Sequence, residues 1–337
     1  MTQYSILDLV PVTEGSTPGD ALQKSLDLIQ HAEAWGYTRY WVAEHHNMRG
    51  IASAATAVVI GHLAGGTSRI RVGAGGIMLP NHAPLVVAEQ FGTLASLYPD
   101  RIDLGLGRAP GTDGLTYQAL RRNQTGDVTE FPRDVAELQH YLKPAQEGQR
   151  VVATPGAGTE VPIYILGSSL FGAQLAALLG LPFAFASHFA PAMMDQAIEI
   201  YRENFKPSEQ LQAPYVMLGY NVCAADDEDN AQLLRTSSLQ SFVNLRRGRP
   251  GQLPPPIAGF EETLSPGEQH MLQELSRCAA VGNPEAVEKQ IRHFLAETGA
   301  DELIIVNSVF DHADRLRSYE ITADIFARIN EPSRKIG

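Results

Sequence analysis

The feature that most constrains the fold is a repeat of short apolar runs, each followed by a segment with the spacing of an amphipathic helix. The apolar runs lie at 5–10, 40–43, 70–75, 102–107, 163–166, 183–186, 214–224 and 302–307. Helical segments such as 22–32, 84–97 and 193–205 separate them. Eight strand–helix repeats in one chain are typical of a parallel sheet that closes on itself. The sequence therefore predicts an α/β fold, a (β/α)8 TIM barrel.

Two stretches interrupt this repeat. Residues 109–161, before strand 5, are rich in Gly, Thr and Asp around one helix predicted over 135–142, and we expect an insertion there. Residues 246–275, after strand 7, are rich in Pro and Gly with weak periodicity, and we expect a mobile lid at the barrel rim. Both are expected to belong to a single domain over 1–337.

Composition narrows the classes of function. The 337 residues are 44% hydrophobic, and the formal net charge of −12 argues against nucleic-acid or anionic-membrane partners. Cys223 and Cys278 lie too far apart in sequence for a disulfide framework or a metal motif. The N-terminus lacks a basic leader, and no apolar run approaches the ~20 residues that span a bilayer. We expect a cytoplasmic protein whose partners are small molecules or other subunits.

The active site of a (β/α)8 barrel lies at the C-terminal ends of the strands, so the polar residues and glycines that follow each apolar run are the candidates. These candidates are Glu44, His45, His46, Gly75, Gly76, Arg108, Ser168, Ser169 and His188.

The motif Glu44-His45-His46 has three interpretations. Imidazole and carboxylate are zinc ligands, but apart from His188 the other strand ends offer few further ligands, so we predict no metal. The histidines could instead only form structural hydrogen bonds at a strand end or a subunit contact. Two titratable imidazoles together at the rim favour acid–base chemistry.

A second group of residues indicates phosphate binding. Arg108 follows strand 4, and Ser168 and Ser169 follow strand 5 where a helix begins, so a guanidinium, two hydroxyls and free backbone N–H groups are expected to converge. A helix-capping serine is the alternative for that position. Gly73-Ala-Gly-Gly76 would let a flat ligand lie on bare backbone, although a tight bend explains such a cluster about as well.

Taken in order, several runs resemble the bacterial luciferase-like flavin monooxygenases, specifically the single-component, group 1 luciferase family oxidoreductase branch. The runs are Tyr-Trp-Val-Ala-Glu-His-His at 40–46, Val-Gly-Ala-Gly-Gly-Ile-Met-Leu-Pro at 72–80, Arg-Ile-Asp-Leu-Gly-Leu-Gly-Arg at 101–108 and Val-Gly-Asn-Pro-Glu-Ala-Val at 281–287. The resemblance implies reduced FMN supplied by a separate flavin reductase, and dioxygen activated through a flavin C4a-hydroperoxide. An unidentified small organic substrate would be oxidised.

The resemblance also implies roles for individual residues. His45 would be the catalytic acid–base, and Gly75 and Gly76 would be joined by a cis peptide beneath the flavin ring. His46 and Glu89 would meet across a homodimer interface. Gly111 and His188 would lie at the substrate or the flavin edge. The remaining implied cofactor-binding positions are Ala43, Arg108, Leu166, Ser168, Ser169 and Gly172.

Several further observations concern the substrate and the cofactor. The family often has an acidic residue where Ser168 stands, so the resemblance implies the location of the phosphate site and not its detailed contacts. The segment after Arg108 differs from luciferase, so an aldehyde substrate is not implied. Related barrels use the deazaflavin F420, and some relatives are non-catalytic flavin-binding proteins. No GxGxxG motif follows a strand and opens a helix, so no Rossmann-type nicotinamide site is expected.

Overall fold

A computed structural model describes residues 2–109, 111–120 and 128–331. The strands are β1 (Gln3–Asp8), β2 (Arg39–Val42), β3 (Arg71–Met78), β4 (Ile102–Gly107), β5 (Ile163–Gly167), β6 (Phe183–Phe185), β7 (Val216–Ala224), β8 (Ala279–Gly282) and β9 (Glu302–Val306). The α-helices are α1 (Pro18–Ala34), α2 (Thr56–Gly65), α3 (Pro84–Leu97), α4 (Gly114–Leu120), α5 (Phe131–Leu142), α6 (Leu170–Leu179), α7 (Met194–Asn204), α8 (Glu228–Arg246), α9 (Pro266–Ser276), α10 (Pro284–Thr298) and α11 (His312–Asn330).

Eight of these strands close into a parallel barrel. Strands β1 to β7 pair in sequence order, β7 pairs with β9, and β9 returns to β1. Because a helix runs between consecutive barrel strands, all strand ends of one polarity meet at one rim. The predicted (β/α)8 fold is confirmed.

The strands follow the two-residue period of β structure. On β2, Tyr40 and Val42 pack outward with the helices in the main core, whereas Trp41 points into the barrel, as does Ala43 directly after the strand. Tyr164 also points inward and meets Trp41 edge to face, with ring centroids 4.9 Å apart. The interior is therefore filled by side chains below the rim, so only the rim remains available for a ligand.

A buried ion-pair network closes the lower barrel. The Arg39 guanidinium donates to Asp103 at 2.8 Å and to Glu302 at 2.9 Å, and it also donates to the hydroxyl of Tyr164 at 2.7 Å. Arg71 donates to the other oxygen of Asp103. These contacts tie strands β2, β3, β4, β5 and β9 together through charge as well as through backbone hydrogen bonds.

Helices lie in both stretches that interrupt the repeat. In 109–161, α5 buries Phe131, Val135, Leu138 and Leu142 in the main core, so it serves as the outer helix of the fourth repeat. The additional element there is α4, a helix that was not predicted from the sequence.

The range 246–275 includes a 3-10 helix at Phe260–Thr263 and most of α9. Helix α9 begins with a reciprocal capping box between Ser265 and Glu268. This signal is visible in the sequence, but the prediction of an irregular segment did not take it into account. The mobility of this lid segment stays a prediction.

One additional strand and one longer strand also differ from prediction. Strand β8, only four residues long, pairs with β7 outside the barrel and was absent from the predicted set. Strand β3 extends to Met78 instead of ending at Gly75, with an irregular register against β4 between Ala74 and Ile77. In the described part of the chain, no helix is long and apolar enough to cross a membrane.

Candidate active site

A cavity of about 910 Å³ opens at the rim of the barrel. Its walls come from the ends of the barrel strands, the loops after them, and one face of α8. Ten residues predicted from sequence line it, namely Ala43, His45, Gly75, Arg108, Gly111, Leu166, Ser168, Ser169, Gly172 and His188. Gly76, His46 and Glu89 are not among the residues that line it.

One wall of the cavity is bare backbone. The Gly75–Gly76 peptide bond is cis, as the family resemblance implies. A Cβ atom added to Gly75 would lie 2.7 Å from Leu7 Cδ1, and one added to Gly76 would lie 2.7 Å from the carbonyl oxygen of Gly105. Gly76 packs behind this wall against β4, while Gly75 faces the cavity. The tight packing explains why neither position accommodates a side chain.

The predicted phosphate-binding residues come together on the β4–β5 side. The Arg108 guanidinium stacks over the Phe171 ring at 4.1 Å, and no ion pair holds it among the described residues. Ser169 is the N-cap of α6, yet its side chain makes no capping hydrogen bond. A preoriented cation, unused hydroxyls and a helix N-terminus form a donor set that suits a phosphate group.

His45 turns from the end of β2 into the cavity. Its Nδ1 lies 3.4 Å from the carbonyl oxygen of Gly111, a long and weak hydrogen bond. Burial lowers the pKa of His45, and the opposing effects of the Gly111 carbonyl and Glu44 do not restore it. The imidazole is therefore neutral at pH 7 and able to accept a proton.

His46 turns the other way and joins a separate cluster. Its Nε2 lies 2.7 Å from Glu44 Oε1, and His82 Nε2 lies 2.9 Å from the same oxygen. Burial acts to raise the pKa of Glu44, but the hydrogen bonds from His82, His46 and the Met78 backbone outweigh it and lower that pKa. The sequence motif thus splits into one cavity residue and two residues of a buried carboxylate cluster.

This cluster has the chemistry of a metal site. The ligand atoms of Glu44, His46 and His82 lie within 4.8 Å of one another. His82 was not a candidate in the sequence, because it follows β3 by four residues and belongs to no motif. The prediction that the chain binds no metal stays a prediction.

His188 approaches the cavity from the β6 side. Its Nδ1 is shielded from solvent and has no hydrogen-bond partner among the described residues. Burial, with a smaller contribution from His45, lowers the pKa of His188 to about 4. The side chain lies over Gly219, where an added Cβ atom would come within 2.1 Å of Nδ1. Two neutral imidazoles therefore face one cavity from different strands.

Comparison with known proteins identifies the family of the chain. Residues 2–302 match the family described as luciferase-like monooxygenase. A protein of that name from Escherichia coli K12 is 54% identical over 322 residues, covering 96% of each chain. The chain belongs to the luciferase-like monooxygenase family.

A more distant member has a named activity. The N-acetyl-S-alkylcysteine monooxygenase of Bacillus subtilis is 31% identical over 333 residues, covering 96% of this chain and 98% of that protein.

Solved structures agree on the fold. Apo-MsnO8 superposes with a TM-score of 0.89 at 35% identity, covering 97% of this chain and 99% of that one. At 17% identity, the oxygenating constituent of 3,6-diketocamphane monooxygenase from Pseudomonas putida, in complex with FMN, has a TM-score of 0.71 and covers 96% of both chains. An F420-dependent secondary alcohol dehydrogenase has a TM-score of 0.63 at 18% identity, covering 95% of this chain and 97% of that one. These last two show the fold alone.

Sequence reasoning missed one wall of this cavity. Helix α8 contributes Arg235, Ser238, Leu239, Phe242 and Arg246 to it. In a helix that also buries an apolar face, polar residues that point to a ligand cannot be told from those that point to solvent. The regular spacing of positions 235, 238, 239 and 242 on one helix face would have been the only signal.

Proposed function

We propose that this luciferase-like monooxygenase uses reduced FMN and dioxygen to oxidise a small organic substrate. The observation that carries the proposal is the cavity, in which the bare backbone of Gly75 and the guanidinium of Arg108 border the same space as His45. This combination offers a flat surface for a ring system, a cation for a phosphate and a proton acceptor near both.

Different residues of the chain would bind the cofactor and transfer protons. Arg108 and the N-terminus of α6 would hold the FMN phosphate, with Ser168 and Ser169 as hydroxyl donors. Bound reduced FMN would activate dioxygen at its C4a carbon, so that one oxygen atom reaches the substrate and the other leaves as water. His45 would accept or return a proton at its imidazole, and the cavity walls would limit access of water.

The phosphate assignment is tested by pairing two flavins. We expect Arg108→Ala to weaken FMN binding by about 1.5–3 kcal/mol, the usual cost of losing a hydrogen bond to a charged group. Riboflavin, which lacks the phosphate, should bind the variant and the wild type equally. Calorimetric titration measures both ligands. An FMN-to-riboflavin affinity ratio that is the same in variant and wild type would show that Arg108 does not bind the phosphate.

The role of His45 is tested by separating binding from turnover. Burial keeps the His45 imidazole neutral at pH 7. We therefore expect activity to decline only as the pH falls below the ordinary histidine pKa of about 6.5. His45→Gln should bind FMN normally, lose most turnover and lose this acid limb. Product formation under ¹⁸O-labelled dioxygen is the measurement. Full turnover by His45→Gln would remove His45 from the mechanism.

The same binding titrations and ¹⁸O-labelling experiments distinguish two other functions. An F420-dependent oxidoreductase would bind F420 in preference to FMN and transfer hydride without incorporating labelled oxygen. A non-catalytic flavin-binding protein would bind FMN and form no labelled product with any substrate tried. The inward-facing imidazoles of His45 and His188 favour a catalytic role over simple binding.

We further propose a homodimer and a separate flavin reductase as partners. Exposed apolar residues on α2 and α3 support the dimer, since Val58 is 73% exposed and Val86 is 45% exposed. Glu89 lies one turn beyond Val86 on the same helix, where a partner subunit could reach it. Light scattering of wild type and Val86→Asp tests this, and a monomeric wild type would exclude it.

A further inference from the structure

The cavity is electrostatically unlike the rest of the protein. The chain carries a formal net charge of −12. Among the described residues that line the cavity, three are arginines, namely Arg108, Arg235 and Arg246, and none is Asp, Glu or Lys. A concave site that collects cations and excludes carboxylates attracts anionic ligands. One phosphate accounts for one of these arginines, and two remain.

The two remaining arginines belong to one helix. Arg235 and Arg246 lie eleven residues apart on α8, which corresponds to about 16 Å along a helix axis. Arg246 is exposed at the C-terminal end of α8, with its guanidinium 5.0 Å from the Phe189 ring and 5.1 Å from the Phe242 ring. Its charge is therefore already placed against two aromatic faces and open to water.

Arg235 is different because it is partly buried and has no anionic partner. No carboxylate in the described part of the chain lies within ion-pair distance of it. Its charge acts on the Cys223 thiol at the end of β7, which places the side chain near that strand end. Arg108, by contrast, belongs to the β4–β5 side. A half-buried, unpaired guanidinium loses hydration without gaining a counter-ion, and a bound anion would supply one.

The residues around Arg235 indicate the chemical character of the rest of the ligand. Ser238 lines the cavity one helical turn further along α8, and its hydroxyl donates to the backbone carbonyl of Arg235 at 2.8 Å. Leu239, Phe242 and Val281 line the same region and present apolar surface. The site therefore combines one cation with apolar walls, which suits an anionic group attached to an apolar body.

We propose that Arg235 binds a negatively charged group of the substrate, and that the substrate is a small organic acid with an apolar portion. This inference rests on the proposed monooxygenase function for its meaning as substrate recognition. The anion subsite itself exists independently of turnover. Arg235 would fix the acid at the α8 side, so that the apolar portion extends toward the Gly75 wall and His45.

The subsite is tested with two dyes that differ by one charge. 8-Anilinonaphthalene-1-sulfonate carries a sulfonate, and N-phenyl-1-naphthylamine has the same aromatic body without it. We expect Arg235→Met to weaken binding of the sulfonate dye by about tenfold or more, the lower range for losing a charged hydrogen bond. Binding of the neutral dye should change by less than about twofold, because Met retains much of the apolar stem. Fluorescence titration of the flavin-free protein measures both.

Two further variants locate the effect. Arg235→Lys keeps the positive charge and should restore part of the sulfonate affinity. Arg246→Met removes another cavity cation and should leave the ratio of the two dye affinities near the wild-type value. If that ratio falls with Arg246→Met and not with Arg235→Met, or falls with neither, the inference is wrong. Circular dichroism confirms that each variant folds.

Turnover provides a separate test. When the enzyme acts under ¹⁸O-labelled dioxygen on a mixture of small organic acids and their primary carboxamides, the acids should be oxygenated in preference to the carboxamides. Arg235→Met should raise the KM for an acid and leave that for its carboxamide unchanged. Oxygenation confined to neutral or cationic compounds would overturn the substrate class. If no compound is oxygenated but the dyes behave as expected, the monooxygenase proposal fails while the anion subsite stands.

Discussion

Replacing His188 should make the protein less sensitive to acid. Its imidazole is largely buried, its Nδ1 has no partner among the described residues, and its pKa is lowered to about 4. An unfolded histidine has a pKa of about 6.5. Between these two values the unfolded chain binds a proton that the folded chain excludes, so the free energy of unfolding decreases as the pH falls.

The size of the effect follows from the two pKa values. Stability from this group is complete above pH 6.5 and decreases progressively toward pH 4. Between pH 7 and pH 5 the full pKa shift of His188 lowers the free energy of unfolding by about 2 kcal/mol. Because the ring is partly exposed, solvent screening reduces this, and we expect about 1–2 kcal/mol. The pKa of about 4 already includes the smaller contribution of His45, whose positive charge would repel a protonated His188.

Urea unfolding of wild type and His188→Leu at pH 5, 6 and 7 measures this difference. The variant has its own packing cost, but that cost is independent of pH and cancels in the comparison. His270→Leu is the matched control, because His270 is 74% exposed on α9. Equal acid sensitivity of wild type and His188→Leu would refute the reasoning, as it would mean that the His188 imidazole is protonated normally in the folded protein.

Further predictions concern the lower barrel and the support of His188. Arg39→Met should lower the free energy of unfolding by about 3–5 kcal/mol because it leaves the buried Glu302 carboxylate without its cation, whereas Arg292→Met, in an exposed pair, should cost at most about 1 kcal/mol. Urea titration at pH 7 compares them, and equal losses would contradict the argument. Gly219→Ala should displace the imidazole above it and cost about 1–3 kcal/mol, while Gly267→Ala, with open space around it, should cost far less. Thermal unfolding measures this, and a neutral Gly219→Ala would show that the cavity wall yields.

The barrel could be predicted because its signals are local. The apolar run at 102–107 and the helix at 84–97 matched the structure residue for residue, since a two-residue or 3.6-residue period is visible in any short window. Elements without such a period were missed. Strand β8 has only four residues, next to the start of a helix, which is too short to show a period. The sequence signal for α9 lies in its capping residues.

The sequence by itself determined the barrel, the rim, and the residues at the strand ends. Arg108, Ser169 and His45 could be named because parallel strands bring their C-terminal ends to one edge whatever the packing details. Only the tertiary structure decided that His45 enters the cavity while His46 turns to Glu44, and that His82 joins them. It also decided that Arg235 faces inward. The contact between His82 and Glu44 joins residues 38 positions apart, and the direction of a side chain depends on neighbours that no local pattern records.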